Sequence, residues 1–499
     1  MKMLPKLITS TISALIVSAC FGNYVLAAAV EQDIHSADIR TDVKEVRWTA
    51  LASRYANPYF AESAGAALSP ALLSSWWAIL EDETLTVLIE SSLSNNKDLQ
   101  AARARVNEAR AALGVSKATL LPWLDSNSSW TRTKISDNAP TESGLANSYK
   151  LSLDASWEID IFGRERQKVR AAAADLQAEH AQLYSTWVSL SSEVAINYLS
   201  LRTFQQRLSI AENNVALQEE TVELLQAKYD AGLIDELPLS QAKYTVSQTK
   251  STIPTIKTNI AATINRLAIL TGRLPGSLEE LLQKQKELPD INSMLYVGIP
   301  AEALRQRPDI HAAERQLAAQ IARSKSAKAD LRPRFSLFGS IGLESVSSGS
   351  IFAGGSKGFS VGPQLTLPIF HAGAIRKNIK VQTAREEQYL AVYEQTVLNA
   401  VAEVRDALVA ATQENERNQS LKEGMEAAAI ALTVASDKYN NGLTDFQNVI
   451  DAQRALLSLE DQYATSQGQK ISNLVHLFKV LGGGWEPLAQ EGAALANTR

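Results

Sequence analysis

The side chains of this 499-residue chain that are capable of nucleophilic, acid–base or metal chemistry are few and far apart. There is one cysteine, Cys20, and five histidines, His35, His180, His311, His371 and His476, with no spacing that gathers two of them into a ligand set. No glycine-rich phosphate loop with its Gly-Lys-Ser/Thr ending and no dinucleotide fingerprint occurs. No nucleophile–base pair stands out either. The expectation is a protein that is not an enzyme, with no catalytic residue, cofactor or metal. A net charge of -5 over this length argues against a nucleic-acid partner.

The one reactive group that sits in a meaningful context is Cys20. Lys2 and Lys6 precede an apolar run over 7–19, too short to span a bilayer, which reads as an export signal. Val17-Ser18-Ala19-Cys20 resembles a lipobox, where cleavage precedes a lipid-modified cysteine. Ala27-Ala28-Ala29 suits ordinary signal peptidase instead. With a lipid on Cys20, Phe21 in place of an aspartate permits sorting to the outer membrane. No other stretch reaches the ~20 apolar residues of a membrane helix, so any further crossing must use strands.

The elements that carry the remaining polar groups are written twice. Asp98-Leu99-Gln100-Ala101-Ala102 returns as Asp309-Ile310-His311-Ala312-Ala313, and Lys228-Tyr229-Asp230-Ala231-Gly232-Leu233 as Lys438-Tyr439-Asn440-Asn441-Gly442-Leu443. Ile161-Phe162 matches Ile369-Phe370, and Gly272 matches Gly482. An offset near ~210 residues is far beyond a solenoid period and marks a duplicated unit. The expected organisation is a signal peptide over 1–19, an extended segment over 20–75 and a first repeat over 76–276. A linker over 277–300, a second repeat over 301–485 and a flexible tail over 486–499 follow.

Each repeat predicts the same order of elements. A helix over 85–118 ends before Pro122. Strands follow over 124–134 and 149–159, the second alternating Tyr149, Leu151, Leu153, Ala155, Trp157 and Ile159 with polar residues, joined by a polar loop over 136–147. The second copy offers strands over 335–343 and 359–369. A proline-free helix then runs over 166–230, on the order of 100 Å at 1.5 Å per residue. Leu201, Phe204, Leu208, Ala211, Val215, Val222, Leu225 and Tyr229 hold a heptad-like seam in it, broken by Gln218. Its counterpart spans 374–439. Gly232 and Gly442 are expected in the left-handed C′ conformation, so each copy ends in a helical hairpin with its tip at 231–237 or 440–446. Pro238 falls at the start of the returning helix.

Four strands per chain cannot close a barrel, because the smallest membrane barrels need about eight. An open sheet in lipid leaves backbone groups unpaired at several kcal/mol each. Two chains would supply eight strands with a filled interior, and three would supply twelve with room for a pore. The helices are too polar for lipid and are expected in the periplasm.

Trp76-Trp77, Asn96-Lys97-Asp98-Leu99, Trp157-Glu158-Ile159-Asp160-Ile161-Phe162-Gly163-Arg164, Arg307-Pro308-Asp309-Ile310, Asp451-Ala452-Gln453-Arg454 and Leu481-Gly482-Gly483-Gly484-Trp485, in this order and spacing, resemble the outer-membrane efflux (TolC) family. The likeness is to its lipoprotein branch serving RND-type pumps. The resemblance implies a mainly α fold with a membrane β-barrel: a homotrimer whose twelve-stranded barrel is continuous with a twelve-helix periplasmic α-barrel. It implies a periplasmic adaptor and an inner-membrane RND pump as partners, a lipid-anchored place in the bacterial outer membrane, and a passive exit duct for drugs or other small molecules. It also implies a periplasmic gate at Asp451 and Arg454, where three carboxylates facing one axis repel one another and draw cations, while Arg454 ties each to a neighbouring helix. Gln447, one turn earlier, stands where relatives carry an apolar constricting residue and weakens any hydrophobic seal. The hairpin tips Gly232, Leu233 and Asp235, with Gly442, Leu443 and Asp445, are candidate adaptor-docking residues as well as caps; Tyr229 and Tyr439 read as seam packing. The alternatives are a conduit for type I protein secretion or metal-ion efflux, the latter disfavoured by only four methionines, and a coiled-coil envelope protein without a pore.

Overall fold

The computed structural model describes residues 75–135, 144–289 and 307–484. The expected signal, Cys20, nearly all of the 20–75 segment, part of the 277–300 linker and the tail lie outside the described residues.

After a 3-10 turn over Trp76–Leu80 come helices α1 (Glu83–Asn95) and α2 (Lys97–Ala118). Asp82 caps α1, its carboxylate accepting from Thr84 N at 2.8 Å. A single helix was expected over this stretch, and Asn96 divides it. The Asn96 backbone leaves the helical region, its Oδ1 accepts from Leu99 N at 3.0 Å to start α2, and its Nδ2 donates to the Leu270 carbonyl at 3.0 Å. A buried asparagine that satisfies two backbone groups is a stronger stop than alanine-rich propensity is a continuation.

Strands β1 (Trp123–Ile135), β2 (Gly144–Ile159), β3 (Arg334–Ser345) and β4 (Lys357–Thr366) form one antiparallel meander in the order β1-β2-β3-β4. The strand β2 starts five residues before its alternation becomes legible, and β4 stops at Thr366, short of the expected 369. The register places Leu124, Trp130, Tyr149, Leu151, Leu153, Trp157, Phe335, Leu337, Ile341, Phe359, Val361 and Leu365 on one face. Asp125, Asn127, Ser129, Lys150, Ser152, Asp154, Ser340, Ser360 and Gln364 share the other. On that polar face Asp154 accepts from Asn127 Nδ2 at 2.7 Å, from Ser152 Oγ at 3.0 Å and from Ser340 Oγ at 2.5 Å.

Helix α3 (Arg164–Asp230) is answered by α4 (Glu236–Leu270), and after the one-turn α5 (Glu279–Leu282) and α6 (Pro308–Ala329) the pattern repeats as α7 (Ala374–Asn440) and α8 (Phe446–Val480). Both long helices have 67 residues and both returning helices 35, so the duplication holds in length as well as type. The sharp turns repeat too: Gly163 and Gly373 both take φ 78°, Gly232 and Gly442 take 70° and 71°, and Gly272 and Gly482 take 70° and 75°. The equivalences run from Lys97 to Pro308 and from Trp123 to Arg334, then from Gly163 to Gly373 and from Gly232 to Gly442. The second copy is thus one residue shorter than the first, and the loss falls inside the strand hairpin. That corrects one sequence match. Ile161-Phe162 and Ile369-Phe370 are two residues out of register, because the glycine turns align Ile159 with Ile369.

The described residues fall into two compact units. One, Arg110–Asp175 with Arg315–Tyr389, holds the sheet and the helix segments that flank it. There Arg164 pairs with Glu158 at 2.8 Å, and Arg323 with Asp175 at 2.5 Å. The other unit takes its described residues from 58–109, 176–314 and 390–499. Its main core packs Trp76 against Phe478, ring centroids 5.8 Å apart, with Leu85, Ile89, Leu99, Tyr198, Leu199, Leu267 and Leu282. Each fully buried leucine there contributes about 1.5–3 kcal/mol. Within this core the Tyr198 hydroxyl donates to Asp82, and Lys286 Nζ lies 3.3 Å from the same carboxylate.

Candidate functional site

The two hairpins end alike because their last helical turns close alike. Gly232 N donates to Tyr229 O at 2.8 Å and Leu233 N to Lys228 O at 2.9 Å. Gly442 N donates to Tyr439 O at 3.0 Å and Leu443 N to Lys438 O at 2.8 Å. This is the paired bonding of a Schellman cap, and it needs the positive φ that glycine supplies without strain. Leu233 and Leu443 are left 73% and 75% exposed, one on each tip. Asp235 and Asp445 are the N-cap residues of α4 and α8, with extended backbone and no side-chain cap bond. Pro238 is the third residue of α4. Behind the tips, Leu225, Leu239, Ala242, Phe446, Val449 and Ile450 are buried together, with Tyr439 edge-on to Phe446 at 5.1 Å. Tyr439 therefore packs in the seam as expected, and the Lys228 ammonium lies 4.5 Å from its ring centroid. Tyr229 is exposed.

Gln447, Asp451 and Arg454 stand on the first turns of α8, with Asp451 between the other two. Gln447 Nε2 donates to Asp451 Oδ1 at 2.9 Å, and Arg454 Nη1 lies 4.0 Å from the same oxygen. Arg454 also reaches α4: its Nη2 donates to the Tyr244 hydroxyl and, at 3.2 Å, to Thr245 Oγ1, while the guanidinium carbon sits 5.0 Å from the Tyr244 ring centroid. The group is thus a link between α4 and α8. A guanidinium that donates to a phenol and a hydroxyl of the neighbouring helix, with a carboxylate of its own helix 4.0 Å away, fixes the spacing of two helices more firmly than an exposed ion pair, which by itself is worth about 0–1 kcal/mol.

Arg454 lines a groove of about 770 Å3 between α3, α4 and α8. Its walls carry Thr245, Thr249, Thr252, Thr255 and Ser458, and an ion pair from Arg207 Nε to Asp461 Oδ1 at 2.6 Å spans α3 and α8. Gln218 is also on this wall. It is 4% exposed, and neither its Oε1 nor its Nε2 has a hydrogen-bond partner; Arg454 Nε is in the same condition. The seam residue marked by sequence as the break in the heptad is therefore a buried amide unsatisfied on both ends, which costs about 1–3 kcal/mol.

Gln447, Asp451 and Arg454 lie together on α8 as their spacing predicts, whereas Tyr244, Thr245 and the helix they lie on are partners not named from the sequence. A signal was present: Tyr244 holds in the first copy the position that Arg454 holds in the second, and in a pseudo-symmetric pair of hairpins equivalent positions tend to face each other. Gln218, which interrupts the seam in the sequence, shares the groove with Arg454. Cys20 lies outside the described residues. Among the described residues no cluster of histidine, cysteine and carboxylate groups has the geometry to hold a metal, and no helix is long and apolar enough to cross a membrane.

The chain matches the sequence description of the outer membrane efflux protein family over 88–273 and again over 299–483, one stretch in each copy of the duplication. The solvent efflux pump outer membrane protein SrpC of Pseudomonas putida is 32% identical over 411 residues, covering 81% of this chain and 86% of its own. Nodulation protein T of Rhizobium leguminosarum bv. trifolii is 30% identical over 422 residues, covering 84% and 89%. In structure, the outer-membrane channel OprN superposes with a TM-score of 0.80 at 36% identity, over 83% of this chain and 93% of that one.

Proposed function

Because this chain belongs to the outer membrane efflux protein family and is an efflux channel component rather than an enzyme, we infer that it acts as the passive exit duct of a tripartite pump. In this reading three copies pool their strands into one twelve-stranded barrel, and their helices line a twelve-helix periplasmic tunnel. A periplasmic adaptor and an inner-membrane RND transporter deliver drugs or other small molecules, and the energy comes from the transporter, since the chain has no nucleotide loop of its own. Cys20 carries the lipid anchor, and Gly232, Leu233, Asp235, Gly442, Leu443 and Asp445 meet the adaptor.

The observation that carries this reading is the sheet. Strands β2, β3 and β4 present an apolar, largely exposed face that β1 extends with Leu124 and Trp130, and among the described residues both β1 and β4 are unpaired edges. Edges of this kind are incompatible with lipid unless another chain closes them. Exposed Val409, Ile430 and Val434 on α7 point the same way, toward further packing between copies.

We place the gate at Asp451, Arg454 and Tyr244. In the closed state Arg454 holds α8 against α4, and rings of Asp451 from three copies admit cations and turn away anions. Opening requires the Arg454 link to part, and the unsatisfied Gln218 in the same groove favours the parted, hydrated state. Gln447 bonded to Asp451 extends the polar ring where an apolar constriction would otherwise sit.

The test is the purified full-length protein. Native mass spectrometry should give a trimer, planar bilayers should show ion conductance, and labelled palmitate should appear on Cys20 and vanish in Cys20→Ala. A monomer that passes no current would overturn the duct, and pull-down of a secretion ATPase in place of an RND pump would replace the partner assignment.

A further inference from the structure

We propose that Arg132, Lys134 and Lys357 form a docking site for the phosphate groups of an outer-leaflet lipid, the phosphorylated saccharide lipid of the bacterial outer membrane. This rests on the trimeric-barrel reading and names a partner for the outward face of that barrel.

The two faces of the sheet differ in their charges. The register puts Asp125, Lys150, Asp154, Glu158, Arg334 and Glu344 on the polar face, with both signs mixed. On the apolar face the charged side chains of the four strands are Arg132, Lys134 and Lys357, all of them cations. Each lies near the hairpin end of its strand, Arg132 and Lys134 in the last four residues of β1 and Lys357 at the first of β4. The opposite ends of the strands are the ones joined to helices, which puts the hairpin ends on the cell exterior when the helical body is periplasmic. A cation on a lipid-facing wall needs water or an anion. All three are exposed, and among the described residues none has an ion pair.

The side chains beneath these cations follow the layers of a leaflet. On the same face Trp130 comes next to Arg132 and Phe359 next to Lys357, and Trp130 stacks on Tyr149 with centroids 6.4 Å apart. Deeper still, the face is aliphatic. Outward, the order is aliphatic, aromatic, cationic, which is that of hydrocarbon, interface and headgroup. At the helix end the same face carries Trp157 and Phe335, and no charge follows them within the strands. Snorkelling into water would serve at either rim, so cations at the outer rim alone match the phosphate-rich layer found there. A groove of about 670 Å3 supplies the other half of a lipid site. Leu151, Leu153, Ile341, Leu343 and Phe359 line it, and so does Lys357, which gives acyl chains an apolar bed beside a cation. Arg132 and Lys134 stand about 6.7 Å apart along β1. In a ring of three chains the strand after β4 is a β1, so Lys357 joins them at each subunit boundary. Arginine offers phosphate a planar fork and the two lysines offer point charges.

Native mass spectrometry of the purified full-length protein in detergent tests this, with lipid A as one titrant and dephosphorylated lipid A as the other. The parent trimer should retain lipid A at least ~10-fold more tightly than the dephosphorylated lipid, and the difference should shrink as salt rises. Combining Arg132→Ser, Lys134→Ser and Lys357→Ser should abolish the difference, whereas Lys150→Ser, on the opposite face, should keep it. Inorganic phosphate at equal concentration should not displace the lipid, because the groove holds its chains. Equal retention of the two lipids by the parent would overturn the site, and this comparison stands even where the triple variant fails to fold. A folded triple variant with undiminished preference would overturn it as well, and displacement by inorganic phosphate would replace the lipid site with a plain anion site. Trimers that conduct ions yet show no preference sink the lipid site alone. A monomer that passes no current sinks the barrel reading beneath it.

Discussion

Arg454 contacts the residue that holds its own place in the other copy. Tyr244, 210 positions earlier, occupies on α4 the point Arg454 occupies on α8, and its hydroxyl and ring both receive the guanidinium. A duplicated hairpin with a symmetric contact has diverged into a donor and an acceptor, which makes the contact a link rather than a repulsion.

If that link holds the tunnel closed, cutting it loosens the closed state. Arg454→Ala removes a charge-assisted bond in a half-exposed setting, worth about 1 kcal/mol, or roughly fivefold in the closed-to-open ratio. Single-channel conductance in planar bilayers should rise, and Tyr244→Phe should raise it less. In the double variant the second change should add little. Full additivity would show that the two side chains act separately, and unchanged conductance in Arg454→Ala and Asp451→Ala would remove α8 from the gate.

Gln218 offers the opposite lever. Replacing it with leucine removes two unsatisfied buried atoms and restores the heptad seam between Val215 and Val222. Gln218→Leu should stabilise the helical unit by about 1 kcal/mol, a rise of a few degrees in thermal midpoint. Its conductance should be equal to or below that of the parent. A lower midpoint would mean that the amide has partners in solution.

The Asp82–Tyr198 pair sets limits of pH on both sides. Burial pushes the Asp82 carboxyl up, but the Tyr198 hydroxyl and the Lys286 ammonium outweigh it and leave it below the ordinary carboxylate range. Burial and the Asp82 bond push the Tyr198 hydroxyl up to about 12. A lowered carboxyl contributes stability that is present above the ordinary carboxylate range and lost as acid protonates it. A raised phenol contributes stability that is complete below about pH 10 and lost on the way to about 12. Thermal midpoints should fall at both extremes, and Asp82→Asn should flatten the acid limb. An acid limb of unchanged slope in that variant would show that other carboxylates govern it.

Gly468 and Gly272 test close packing. A methyl group on Gly468 of α8 would fall on Thr203 Oγ1 and lie 3.1 Å from its Cβ. Gly468→Ala should therefore cost about 1–3 kcal/mol, and adding Thr203→Ala should recover part of it. At Gly272 a positive φ combines with a Cβ position 2.9 Å from the Asn95 carbonyl carbon, so Gly272→Ala should cost more and no single partner change should rescue it. Circular dichroism melts of these variants decide this; a Gly272→Ala protein as stable as its parent would show that the α1–α2 junction yields.

The amino-acid sequence by itself determined the duplication, the long and returning helices, the glycine tips, and the alternating faces of the strands. These are local matters: a period of two or 3.6 residues, or a glycine at a turn, is written in neighbouring positions. It also carried the grouping of Gln447, Asp451 and Arg454, since residues three and four apart on a helix share a face. Tertiary structure alone decided what lies between helices distant in sequence. It put Tyr244 under Arg454, turned Gln218 from a seam defect into an unsatisfied groove residue, and let one buried asparagine, through the Leu270 carbonyl, cut an alanine-rich helix in two. It also shifted the strand match from Ile161 to Ile159, because hydrogen-bond register, not likeness of side chains, sets which residues are equivalent. Such contacts depend on how hairpins pack across long stretches of chain, and no local pattern encodes that distance.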